Sequence, residues 1–275
     1  MLEGGYVHRL PNSGVGVSVR EAWVLMGATV LERDAAEGIH RVQDAHTNWY
    51  LIQDGTKLTV VDTGLPASWR SLLQALRDLG RNLRDVEAVV LTHGHFDHMG
   101  FARRAQQQLG VELWAHEKER SLVATPWHYD HERSRLPYFR HPPFAKIFAE
   151  MTAMGAPLVK GTEPSRTFAD GQRLDVPGGP QVVFTPGHSH GHCSLVLPDR
   201  GAVIAGDALV TLDPYTGRRG PCIVAGAATA DSDQALSSLD ALASLDASVL
   251  LTGHGPAWRG SPADAVRRAK AAGPA

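Results

Sequence analysis

Apolar positions along this chain recur with two different periods. From Ala22 to Leu31, Thr47 to Gln53 and Leu58 to Val61 they are β-branched or aromatic and closely spaced, which predicts strands. Asp54-Gly55, between the last two, is a hairpin signal. The period then changes: Trp69, Leu72, Leu73, Leu76 and Leu79 share one helical face over Ser68 to Leu79, and Gly80 ends it. Val86 to Leu91 is a short apolar run broken only by Glu87, as in a buried strand. A helix over Gly100 to Leu109 and a strand over Val111 to Ala115 follow. The second half predicts strands over Gln172 to Val176, Val182 to Thr185, Ser194 to Leu197 and Ala202 to Ala205. A helix over Gln234 to Leu245, with Asp231 or Ser232 as its cap, leads to a strand over Val249 to Leu251. Ser261-Pro262 opens a last helix.

The two halves share an order of strands, a helix and a further strand, which suggests two sheets packed face to face with helices outside. No low-complexity linker divides them, so residues 1–275 read as one domain. Residues 120–162 depart from this grammar. Pro126, Pro137, Pro142, Pro143 and Pro157 alternate with Trp127, Tyr129, Tyr138, Phe139, Phe144 and Phe148. This segment reads as an insertion, part loop and part short helix.

Composition narrows the function classes. Hydrophobic residues make up 43% of 275, enough for a large core, and 27 basic against 29 acidic side chains give no basic surplus for nucleic acid. Cys193 and Cys222 do not define a disulfide framework and fit a reducing compartment. Met1 to Pro11 shows no basic-then-apolar leader, and no apolar run is long enough for a bilayer. The expectation is a cytoplasmic protein acting on a small molecule, with neither nucleic acid nor membrane as partner. The unusual count is histidine, at 14.

Four candidate ligands fall in one run, Thr92-His-Gly-His-Phe-Asp-His-Met-Gly100: His93, His95, Asp97 and His98. His188, Asp207 and His254 each follow an apolar stretch and stand beside a glycine, where a rigid strand end can aim a loop side chain. His93 and His95 are two apart, so on extended chain both side chains point the same way. Such a cluster is poor core material, because every buried polar group needs a partner. Imidazole nitrogens and carboxylate oxygens suit divalent metals, and five histidines with two aspartates suffice for two adjacent ions. Zinc is the leading assignment, with iron and manganese compatible with the same donors.

The His-Gly-His-Phe-Asp-His run resembles the His-x-His-x-Asp-His signature of the metallo-β-lactamase superfamily. Asp62-Thr-Gly64, Thr185-Pro-Gly-His188, Gly206-Asp207 and Gly253-His254-Gly255 resemble its further motifs, in order, over about Asp44 to Pro256. The resemblance implies an α+β fold, a four-layer αββα sandwich with the metals at one edge of the sheets. By position it implies His93, His95 and His188 on one metal, Asp97, His98 and His254 on the other, and Asp207 bridging. It places Asp62 and His192 behind these ligands, hydrogen-bonding to them or their loops. His190 sits where the family often has proline, and residues 120–162 lie between the two halves, as the family's substrate-covering insertions do.

The bridging aspartate separates the hydrolase branches from true β-lactamases, which often carry cysteine or serine there. The resemblance therefore implies an enzyme with a dinuclear centre and bridging hydroxide, cleaving an ester or thioester as hydroxyacylglutathione hydrolases do. A lactonase is the nearest rival, and a mononuclear iron persulfide dioxygenase a rival of another class. Asp97 is the expected catalytic residue, orienting the nucleophile and carrying its proton. Trp127, Tyr129 and Tyr215 are candidate substrate contacts, Tyr215 as a donor to an oxyanion. Lactonases of this kind carry a tyrosine three residues after the bridging aspartate, where this chain has Val210.

Overall fold

In the computed structural model, residues 29–275 are described. The first sheet places β1 (Val30–Ala36), β2 (Ile39–Asp44), β3 (Thr47–Asp54), β4 (Lys57–Val61), β5 (Val86–Val90), β6 (Glu112–His116) and β7 (Arg166–Phe168) side by side in chain order. β1 to β4 form an antiparallel meander, and β4 to β7 run parallel. Parallel neighbours need long crossovers. α1 (Ser68–Asp78) joins β4 to β5, and α2 (Ala102–Leu109) joins β5 to β6. The β6–β7 crossover is the aromatic and proline-rich segment, with α3 (Arg120–Ala124) and α4 (Pro142–Ala153).

The second sheet combines β8 (Gln181–Phe184), β9 (Cys193–Leu197), β10 (Ala202–Gly206), β13 (Val249–Thr252) and β14 (Trp258–Arg259), in the spatial order β14-β13-β10-β9-β8. β11 (Val210–Leu212) and β12 (Arg219–Cys222) form a small ribbon, and α5 (Ser232–Ala243) and α6 (Pro262–Ala272) follow. The expected caps are in place: Asp231 accepts from the Gln234 amide at 2.8 Å and Ser261 from the Asp264 amide at 3.2 Å.

Side-chain alternation explains the layers. On β3, Trp49 and Leu51 face the outer helices while Tyr50 and Ile52 face the other sheet. β5 repeats this with Val89 outward and Ala88 and Val90 inward. On β10, Ala202 and Ile204 point to the first sheet, and Val203 and Ala205 to Leu239, Leu242, Val266 and Ala269 of α5 and α6. The central strands are covered on both faces, which accounts for apolar runs such as Ala88–Leu91 and Ala202–Ala205. The result is the expected αββα sandwich.

Two expectations change, and one is only partly covered. Residues 22–28 of the first predicted strand lie outside the described residues. The hairpin β1–β2 was not foreseen, because its edge strand carries Glu32, Arg33 and Asp34. Charges on an edge strand discourage further pairing, and here Glu32 lies opposite Arg41 in register and binds its Nε at 2.8 Å. Gln172 to Val176 is not a strand: it makes an isolated bridge, Arg173 to Gln181, and the ladder stops. Pro177 and Pro180 lack the N–H a ladder needs, and Gly178 and Gly179 take positive φ. The first sheet closes instead on the three-residue strand β7, too short to stand out in the sequence.

Candidate metal centre

All seven candidate ligands lie just beyond strand C-termini at one edge of the sandwich. His93 to His98 follow β5, His188 follows β8, Asp207 follows β10 and His254 follows β13. β8, β10 and β13 point the same way, because β9 is antiparallel to both β8 and β10, and β10 is parallel to β13. The two sheets are stitched together at this edge. Asn48 of β3 donates from its side chain to the Thr252 and Gly255 carbonyls, both at 2.7 Å, and Tyr50 Oη donates to the Thr252 carbonyl at 2.6 Å.

The structure brings the seven side chains together, all of them buried. Ligand atoms of His93, His95 and His188 lie within 4.8 Å of one another, as do those of Asp97, His98 and His254. Asp207 stands between the groups: its Oδ2 is 3.4 Å from His188 Nε2 and 3.2 Å from His254 Nε2, and its Oδ1 is 3.6 Å from His98 Nε2. Gly253 is required here, since a Cβ on it would fall 1.8 Å from Asp207 Oδ1.

Hydrogen bonds on the far side of four of the five rings fix which nitrogen faces inward. The Asp62 carboxylate accepts from His98 Nδ1 at 2.9 Å, and from the Thr92 amide and hydroxyl, both at 2.8 Å. The single Thr92 hydroxyl proton is thereby used, so Thr92 Oγ1 accepts from His93 Nδ1 at 3.0 Å. Thr229 donates to the Val224 carbonyl at 2.8 Å and so accepts from His188 Nδ1 at 3.4 Å. The His46 carbonyl accepts from His254 Nδ1 at 2.9 Å. Four rings thus turn Nε2 to the centre, and the buried Nε2 atoms of His93, His95, His98 and His188, with Asp207 Oδ1, have no hydrogen-bond partner. Orphaned buried polar atoms are rare and costly, and a cluster of them with converging lone pairs fits divalent metal ions.

Electrostatics agree with this geometry. Burial holds the His93 and His188 imidazoles well below their ordinary pKa, and His95 down to about 4, so these rings are neutral donors. Burial acts on His98 and His254 too, but Asp207 and Asp97, joined at His98 by Asp62, outweigh it. His98 is raised to about 9 and His254 well above its ordinary value.

Asp62 and His192 lie behind the candidate ligands. His192 Nε2 accepts the Asp207 backbone N–H at 3.0 Å, so that nitrogen has no lone pair left for a metal, and its Nδ1 meets Thr185 Oγ1 at 2.9 Å. His190 is turned outward and pairs with Asp130 at 3.0 Å.

Two functional positions escaped the sequence reading. Glu119, buried just after β6, accepts from the Gly94 amide at 2.8 Å, Ser189 Oγ at 2.8 Å and the Gly191 amide at 2.7 Å. One carboxylate thus ties the His93–His95 loop to the His188 loop. His46 forms, with Ala45, a two-residue turn with φ of 69° and 45°. A non-glycine pair in that region is strained, and the strained turn is what aims the His46 carbonyl at His254. Neither site carries a motif: Glu119 stands in the charged run Glu117 to Arg120, and the Ala45-His46 turn lacks Asn-Gly.

Above the ligands lies a cavity of about 340 Å³. His95, Asp97, His188, Asp207 and His254 form its floor. Trp127, Tyr129, Phe144, Ile147, Phe148 and Met151 of the β6–β7 segment form much of its wall, with Tyr215 from beyond β11. The three candidate substrate contacts therefore all line it. Trp127 stacks on Phe96 at 4.1 Å, Tyr129 lies 4.2 Å from the His95 ring, and the Tyr129 and Tyr215 hydroxyls are 3.4 Å apart. The segment is anchored from two sides: Glu132 accepts from the Ser232 amide at 2.7 Å, and Glu150 pairs with His46 at 2.8 Å.

Among the described residues no helix is long and apolar enough to cross a membrane. The profile of the family described as "Metallo-beta-lactamase superfamily" matches residues 42–254. The chain is 28% identical over 239 residues to "Probable metallo-hydrolase YflN" of Bacillus subtilis, covering 81% of this chain and 85% of that one. It is also 28% identical over 166 residues to "Hydroxyacylglutathione hydrolase GloC" of Haemophilus influenzae, covering 59% of this chain and 66% of that one. A solved metallo-beta-lactamase family protein, TTHA1429 from Thermus thermophilus, superposes with a TM-score of 0.61 at 26% identity, over 86% of this chain and 79% of its own.

Proposed function

The chain belongs to the metallo-beta-lactamase superfamily, and from that premise we propose that it hydrolyses an ester or thioester at two divalent metal ions. His93, His95 and His188 would hold one ion, Asp97, His98 and His254 the other, and Asp207 both. The observation that carries the reading is the Asp207 carboxylate, 3.4 Å from His188 of one group and 3.2 Å from His254 of the other. A single metal would leave half of these donors without a partner. The similarity to GloC supports an acyl substrate such as hydroxyacylglutathione, and zinc suits the donor set, as iron and manganese also do.

When bound, such a metal pair ionises water near neutral pH and polarises a carbonyl oxygen. The protein's own groups supply the rest. The Asp97 carboxylate lies on the cavity floor, where it orients the water and passes a proton to the leaving group. Tyr129 and Tyr215 offer hydroxyls from the wall to the acyl oxygen. Trp127 and Phe144 exclude bulk water, which strengthens each polar contact inside. Asp62 keeps a proton on His98 Nδ1, so that Nε2 remains a donor to metal.

Two experiments check this reading. A panel of thioesters, simple esters, lactones, phosphodiesters and glutathione persulfide should show the highest kcat/KM for an ester or thioester. Preference for a lactone would move the assignment to a lactonase, and oxygen uptake with persulfide would replace hydrolysis altogether. Asp62→Asn should weaken metal binding about ten- to a hundredfold in a competitive chelator titration, the usual cost of losing a hydrogen bond behind a ligand histidine. Unaltered affinity would remove Asp62 from the site.

A further inference from the structure

The cavity wall holds a cation whose role the metal chemistry leaves open. Arg135, half-buried, lines the cavity with its guanidinium carbon 4.5 Å above the Tyr129 ring. The same ring lies 4.2 Å from His95, so this charge stands one aromatic ring away from a metal-ligand side chain. Arg135 Nε is buried and has no hydrogen-bond partner among the described residues. The acids of the covering segment are engaged elsewhere: Asp130 with His190, Glu132 with Ser232, and Glu150 with His46 and Lys146. An unpaired guanidinium donor withdrawn from water is costly, and its planar fork matches a carboxylate. The remaining wall, from Trp127 through Phe144 and Ile147 to Met151, is apolar.

We infer that Arg135 binds a carboxylate of the substrate. The preferred substrate is then an acyl compound with an apolar body and an anionic group a few bonds from the reacting carbonyl. This inference rests on the hydrolase reading above, but its test can separate the two.

The probes are the mono-(4-nitrophenyl) ester of a straight-chain dicarboxylic acid and the 4-nitrophenyl ester of the monocarboxylic acid of equal length. Wild type should favour the charged ester in kcat/KM. Arg135→Gln should lower that ratio at least about tenfold, the factor carried by a charge-assisted hydrogen bond of about 1.4 kcal/mol. Arg135→Lys, which keeps the charge, should hold most of the preference. Arg140→Gln, on the exposed side of the same turn, should leave the ratio where it is. In parallel, calorimetry on the metal-loaded protein should show the free dicarboxylate binding more tightly to wild type than to Arg135→Gln. A wild type that turns over both esters without preference, or an Arg135→Gln variant with an unaltered ratio, overturns the inference while the hydrolase reading stands. Arg135-dependent binding without ester turnover supports the inference and sinks the hydrolase reading. No Arg135 dependence in the binding measurement overturns the inference even if no ester is turned over.

Discussion

Replacing Asp207 with Ala is expected to lower turnover at least about a thousandfold, the scale of losing a group on which a whole catalytic unit depends. The reason is positional. Asp207 faces His188, His98 and His254 at once, at 3.4, 3.6 and 3.2 Å, and among the described residues no other carboxylate bridges the two groups. Asp207→Asn keeps the shape and removes the charge, so it should lose nearly as much if the carboxylate holds both ions. Metal content per chain, measured beside turnover, distinguishes the outcomes. Both variants should fall short of wild-type loading. A fully loaded, fully active Asp207→Asn would show that the carboxylate is dispensable.

Stripping the metals should be nearly as damaging to stability as the substitution is to rate. At a hundredfold excess over Kd each site stabilises the fold by about 2.7 kcal/mol, worth roughly 5–10 °C in Tm for a chain of this size. The effect should depend on pH in a defined direction. Metal-free, His98 is raised from 6.5 to about 9 and His254 well above 6.5. A raised folded-state pKa contributes stability that is full below the unfolded value and lost as pH climbs through the folded one. The stripped protein should therefore weaken between pH 6.5 and about 9. His93 and His188 shift the other way, and their influence falls below pH 6.5. Metal binding displaces the protons on His98 and His254 and so strengthens over the same window. Thermal scans of loaded and stripped protein should show the Tm gap widening as pH rises from 6.5 to 9. A gap that narrows would mean that those two rings are not ligands.

Much of this was legible in the sequence, and the reason is specific. His93 to His98 are contiguous, and His188, Asp207 and His254 follow apolar runs that are nearly unmistakable as strands. The sandwich was legible because Ala88–Val90 and Ala202–Gly206 are apolar on both faces, as strands covered by a second sheet on one side and helices on the other require. What was not legible depends on chain segments meeting from afar. Glu119 is one glutamate in a charged run, Glu117 to Arg120, until the fold brings Gly94 and Gly191 against it. The strain at Ala45-His46 is invisible without backbone angles. Gln172 to Val176 has the alternation of a strand, but the prolines after it decide otherwise.

The direct measurement is the number of divalent ions per folded chain, by inductively coupled plasma mass spectrometry after gel filtration, taken together with ester hydrolysis on the same sample. Two ions per wild-type chain, with activity lost as the second is titrated away, is the predicted result. Full ester hydrolysis with a single ion, or a single iron accompanied by oxygen uptake, would contradict a paired centre held by Asp207.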